Sequence, residues 1–94
     1  MNSPTLQRRH VFYSGHVQGV GFRYTAQAVA RGFDVTGFVR NLVDRRVELV
    51  AEGPADELDG FLAALARRMS DHIRHVDCDS RPAIGEFTHF EIHY

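Results

Sequence analysis

Apolar residues recur with two different periods along the 94 residues, and the switches between those periods mark the elements. Residues 1–8 are polar, contain Pro4 and show no period, so they read as a disordered lead with order beginning near Arg9. The run HVFYSG, from His10 to Gly15, is short and β-rich and ends on a glycine, which predicts a first strand. From Phe22 to Arg31, Phe22, Ala26 and Val29 fall at i, i+4 and i+7, and Gly32 stands where a left-handed helix cap is usual. The period drops to two in VTGFVRN and RRVELVAEG, where Val47, Leu49 and Ala51 share one face and Arg46, Glu48, Val50 and Glu52 the other. Those two runs predict a hairpin. Gly53-Pro54 ends the second of them and opens a helix whose Leu58, Phe61, Leu62, Leu65 and Met69 trace one stripe. HIRHVDCD and THFEIHY close the chain as strands, the first with Ile73 and Val76 breaking parity, the second with Phe90, Ile92 and Tyr94 on one face. The order βαββαβ, with either a weaker final strand or a β-loop-β ending, predicts an α+β ferredoxin-like sandwich in one domain over 1–94. Its two helices pack on one face of an antiparallel sheet.

Composition narrows the chemistry. The formal net charge of −1 leaves no basic stripe to gather a nucleic-acid backbone, so nucleic acid is not an expected partner. All eleven cationic residues are arginine, which excludes Schiff-base lysine chemistry and a lysine-bearing nucleotide loop. Arginine must serve any anion bound here. The only cysteine, Cys78, forms no internal disulfide and reads as a small buried hydrophobe rather than a nucleophile. The first ten residues hold no apolar core of signal-peptide length, and no run approaches the roughly 18 apolar residues of a membrane span. A cytoplasmic monomer is the expectation. His10, His72, His75, His89 and His93 lack helical i, i+4 spacing and paired cysteines, so surface or strand positions are expected for them, and no metal or other cofactor.

The segment GHVQGVGFR, Gly15 to Arg23, concentrates the chemistry. A strand that runs through such a loop straight into a helix leaves backbone N–H groups unpaired where the helix dipole is positive, a geometry that attracts an anion. Gly15, Gly19 and Gly21 permit positive φ and close approach, and phosphate suits the cradle because each of its oxygens can take N–H donors. Arg23 then stands out. A cation in the first helical turn opposes the dipole by about 0.3–1 kcal/mol unless an anion is near, and its fork matches phosphate. Alone, a glycine loop reads as a tight turn and Asn41 as a turn residue closing a strand. Together they point to a phosphoryl site, with Asn41 at the end of the row Val35, Gly37, Val39. The side chains of His16 and Gln18, at the loop tip, are expected to be solvated.

GHVQGVGFR and the later GFVRN resemble the signatures of the acylphosphatase family, G-x-V-Q-G-V-x-F-R and a glycine-aromatic-small-basic-Asn segment on the next strand. The resemblance runs from Val11 to Tyr94. It implies a ferredoxin-like fold and hydrolysis of small acyl phosphates to carboxylate and phosphate, with no metal and no covalent intermediate. It also implies that the amides of His16, Val17, Gln18, Gly19 and Val20 bind the phosphoryl group with Arg23, and that Asn41 holds the attacking water. The chain departs from the family at LVDRRV, where a proline and an Asp-Gly turn are common and Val43 and Arg45 stand instead. Either Arg45 is thereby strained or the loop takes another turn type. A second departure is RRMSDHIRH, which lacks the Gly-Pro that often follows the second helix.

Two other classes fit the same topology. An RNA-binding module would need aromatic residues at the centres of the first and third strands; Phe12 and Tyr13 answer on the first, and RRVELVAEG offers none. A binding domain of a larger assembly would keep the phosphate cradle without turnover.

Overall fold

The computed structural model describes residues 5–94. Seven elements follow one another: β1 (Leu6–Gly15), α1 (Phe22–Ala30), β2 (Thr36–Asn41), β3 (Val47–Pro54), α2 (Ala55–Arg68), β4 (Ile73–Pro82) and β5 (Phe90–His93). The strands form one sheet in the order β4-β1-β3-β2-β5. Both helices cover one face. Phe22, Ala26 and Ala30 of α1 and Leu58, Phe61 and Leu65 of α2 bury against Val11, Tyr13, Val39, Val47, Leu49 and Ala51. Each strand thus turns alternate residues into a single core, as the period of two requires.

Three features differ from the sequence expectation. The sheet is mixed, because β5 runs parallel to β2 while all other pairs are antiparallel. β4 and β5 lie at opposite edges, so the chain leaving β4 crosses one end of the sheet and enters β5 in the direction of β2. Next, β1 begins at Leu6, and Leu6, Gln7 and Arg8, expected in the lead, pair with Pro54, Gly53 and Glu52. Polar side chains hide the period there, but neighbours on both sides supply the ladder; of the rest of the expected lead, Thr5 precedes the strand and residues 1–4 lie outside the described residues. Finally, Cys78 is exposed rather than buried, since the helices leave most of β4 uncovered. Its thiol is pushed above its ordinary value, first by partial desolvation and further by Asp79 and Asp59, which disfavours a nucleophilic thiolate.

The opposite face of the sheet carries charge. β3 lies between β1 and β2 and is buried along nearly its whole length, including Glu48 and Glu52, which are 6% and 5% exposed. Glu48 accepts from His10 Nε2 at 2.7 Å and from Arg40 Nε. Glu52 accepts from Arg8 Nε at 2.9 Å and from the amides of Ile84 and Gly85, each at 3.0 Å, and so pins the loop that leads to β5. Burying an ionised carboxylate is unfavourable unless donors surround it, and here they do.

Burial by itself raises both carboxyl pKa values, but the donors around Glu48 and Glu52 outweigh it and hold both below the ordinary 4.5. A carboxyl depressed in the folded state stabilises the fold above its unfolded value, and that stabilisation is lost as pH falls through the folded value. Urea midpoints measured from pH 7 to pH 2 are therefore expected to drop below about pH 4.5. Pairing Glu48→Gln with Glu52→Gln should flatten that slope, and an unchanged slope would assign acid sensitivity elsewhere.

Candidate active site

The two helices begin in opposite electrostatic styles. α2 has Asp56 and Glu57 in its first turn and Arg67 and Arg68 in its last, the arrangement a macrodipole favours. α1 starts with no acidic residue and no side-chain cap, and its N-cap is Gly21 in the left-handed region at φ 79°. Arg23 follows in its first turn, half-buried and without a carboxylate partner among the described residues. Its guanidinium carbon instead lies 4.9 Å from the centre of the Tyr94 ring. Such a helix start has uncompensated positive potential, which an anion would satisfy.

The loop before it is built from backbone. Gly15, Gly19 and Gly21 all have positive φ, at 127°, 77° and 79°, which glycine adopts without a Cβ penalty. The glycines at 19 and 21 face open space, so it is the backbone shape rather than crowding by protein that requires them. The N–H of Thr25 reaches Gly21 O at 3.0 Å, the first turn of α1. Between Val17 and Gly21 no N–H donates to a backbone carbonyl among the described residues. His16 departs from expectation here: its N–H is engaged by His72 O at 2.9 Å, which fastens the loop to the start of β4 and takes that amide out of the anion-binding set. The His16 side chain is exposed, as expected.

Gln18 also departs from expectation. Its side chain, read from sequence as solvated, is half-buried, and its amide nitrogen donates to Leu42 O at 2.8 Å and Arg46 O at 2.9 Å. Both acceptors belong to the β2–β3 turn, so one side chain ties the glycine loop to the segment just after Asn41. Nothing local in VQGV signals this, because the two carbonyls are 24 and 28 residues away.

Asn41 ends β2 opposite Val47, half-buried and on the helix-facing side of the strand. Of the residues expected from sequence to share a site, Val17, Gly19, Arg23 and Asn41 come together, while His16, Gln18 and Val20 do not line the same cleft. Val17, Gly19, Gly21, Arg23, Tyr24 and Asn41 line one cleft of about 200 Å³ at the N-terminus of α1. Tyr24, one residue beyond the sequence pattern, is an addition that the helix turn places there. Val20 packs against the core.

The fold is an α+β ferredoxin-like sandwich whose β1–α1 loop, Arg23 and Asn41 offer donors to an anion. Comparisons with known proteins make this specific. The acylphosphatase family model matches residues 9–92. An acylphosphatase of Methylococcus capsulatus is 42% identical over 88 residues, 93% of this chain and 96% of that one. The crystal structure of acylphosphatase from Bacillus subtilis superimposes with a TM-score of 0.82 at 33% identity, over 95% of this chain and 99% of that one. The HypF structure from T. kodakarensis has a matching part as well, with a TM-score of 0.80 at 27% identity, covering 94% of this chain and 12% of that one. The chain belongs to the acylphosphatase family, and it is an acylphosphatase enzyme.

The clamp gives a direct test. Gln18→Ala removes one of the two donors that each carbonyl has, leaving Leu42 O with Arg45 N and Arg46 O with Leu42 N, and the two lost bonds are worth about 1–3 kcal/mol together. Thermal or urea unfolding should register that loss, and amide hydrogen exchange from Val17 to Gly21 should speed up; unchanged exchange would show that the loop is held without Gln18.

Proposed function

We propose that the chain hydrolyses small acyl phosphates without a metal. In this reading the phosphoryl group is held by the amides of Val17, Gln18, Gly19 and Val20 with Arg23, and water is aimed by Asn41. The observation that carries it is that Val17, Gly19 and Gly21, whose amides are among those left unpaired, line one cleft with Arg23 and Asn41.

The chemistry needs little more. The leaving group of an acyl phosphate is a carboxylate, stable at neutral pH without a general acid, so positioning and charge stabilisation are the main demands. A water oxygen attacks phosphorus, the bond from phosphorus to the acyl oxygen breaks, and the water proton passes to a phosphate oxygen. Amide donors and the Arg23 fork meet the charge on the equatorial oxygens. The Asn41 carboxamide accepts from water through its oxygen and donates to a phosphate oxygen through its nitrogen, which fixes the line of attack. We also read the chain as a monomer of a reducing compartment. The large apolar side chains left exposed, Leu6, Tyr24, Val43, Val76, Ile84 and Tyr94, are spread over separate elements, and Cys78 stands alone.

Phosphate release from benzoyl phosphate, with EDTA present, tests this. Arg23→Ala should lower kcat/KM by about 10²–10³ and weaken inhibition by inorganic phosphate. Asn41→Ala should lower kcat while leaving the phosphate inhibition constant near that of wild type. Equal loss of both in Asn41→Ala would end the division of labour, and activity that requires added metal would end the mechanism.

A further inference from the structure

The turn between β2 and β3 is built against local preference, and it lies beside the phosphoryl cleft. Leu42 O accepts from Arg45 N at 3.1 Å, and Arg46 O accepts from Leu42 N at 2.8 Å, which closes a tight hairpin around Val43 and Asp44. Arg45 takes the left-handed conformation at φ 76°, the only non-glycine residue with positive φ among the described residues. A branched-chain neighbour is equally out of place, since Val43 is fully exposed at the tip. A left-handed arginine is unfavourable by about 1–2 kcal/mol, and glycine would remove that strain. Backbone strain of this kind collects at binding sites, where the side chain it presents is what matters.

Both residues face the same space. Gly15, His16, Val17, Gln18, Val43 and Arg45 line a second cleft, of about 320 Å³, and Val17 is common to it and to the phosphoryl cleft. The Arg45 guanidinium has no ion-pair partner among the described residues. Its neighbour Asp44 is occupied elsewhere, accepting from Arg46 N at 3.2 Å and Arg46 Nε at 2.8 Å. The exposed imidazole of His16 forms part of the same wall. The second cleft thus has an apolar rim at Val43 and an unengaged cation at Arg45.

We propose that this second cleft is the subsite for the acyl group, and that Arg45 gives it a preference for acyl phosphates carrying a second anion, a carboxylate or phosphate, at the far end of the acyl chain. The inference rests on the phosphoryl-transfer reading above and adds the substrate class. With phosphorus held at the glycine loop, the acyl chain leaves past Val17, lies along Val43, and brings its distal charge to Arg45. A guanidinium–carboxylate pair of this kind, partly exposed, is expected to favour the charged substrate by roughly fivefold to tenfold.

The test compares 4-carboxybenzoyl phosphate with its uncharged analogue, 4-(methoxycarbonyl)benzoyl phosphate, for wild type, Arg45→Gly and Arg45→Lys. The readout is the ratio of kcat/KM for the two substrates compared between wild type and variant, a comparison in which differences in intrinsic reactivity cancel. Arg45→Gly relaxes the turn, so the variant is expected to fold. Its ratio should fall roughly fivefold to tenfold relative to wild type, through KM, while Arg45→Lys, with the same backbone strain and charge, should retain most of the preference. The wild-type ratio should also decline as salt rises. If wild type hydrolyses plain benzoyl phosphate but the ratio is the same in Arg45→Gly, the subsite is overturned and the enzymatic reading stands. An equal fall in Arg45→Gly and Arg45→Lys would also overturn it, because charge would not be the cause. Failure of wild type to hydrolyse benzoyl phosphate would instead remove the reading on which the subsite rests.

Discussion

Five consecutive residues, Val17 to Gly21, keep their N–H groups away from every backbone carbonyl among the described residues, and the rest of the molecule is arranged to hold them so. Unpaired donors are unfavourable in a fold unless water or a ligand takes them. A loop left to itself would collapse onto the nearest carbonyl. Three ties prevent this. The N–H of His16 is anchored to His72 O, the Gln18 side chain spans to Leu42 O and Arg46 O, and Phe22 packs its ring 4.8 Å from that of Tyr13 within the core. Each tie reaches a different element, so the donors are fixed in direction before any anion arrives. Preorganisation of this kind is what makes backbone dipoles effective toward charge that develops during a reaction.

The sheet divides its labour between faces. The helix side supplies the apolar core and, at the β1–α1 junction, the cleft lined by Arg23 and Asn41. The other side is a lattice of paired charges: Glu48 with His10 and Arg40, Glu52 with Arg8, and Arg46 over the Phe12 ring at 4.5 Å. Where an RNA-binding sheet places an aromatic residue on its third strand, β3 places Glu48 and Glu52. Phe38 does lie on that side, but its ring is stacked on His93 at 4.5 Å. These pairings also fix the register of β3 between its neighbours, because a slip by one residue would carry two carboxylates into the core.

Much of the fold was legible from periodicity. The stripe Leu58, Phe61, Leu65, Met69 and the alternation Val47, Leu49, Ala51 are buried as their spacing requires, because a period on one element determines which residues can share a face. The glycine loop, Arg23 and Asn41 were legible for a related reason, since each is a local departure from what its position prefers: glycines together, a cation where the dipole repels it, an amide ending an apolar row. The positive φ of Arg45 is one of the two outcomes left open by the departure from the family's Asp-Gly turn.

What escaped the sequence depends on distance along the chain. The parallel pairing of β5 with β2, the carbonyls that Gln18 reaches, the acceptor that removes the His16 amide from the site, and the exposure of Cys78 on an uncovered edge all follow from which strands become neighbours. Residue type and spacing determined the elements, their inward faces and the chemistry offered at the β1–α1 junction. Only the tertiary structure decided which amides stay free and which side chains hold the loop open, because a hydrogen bond between residues more than twenty positions apart leaves no trace in the pattern around either of them.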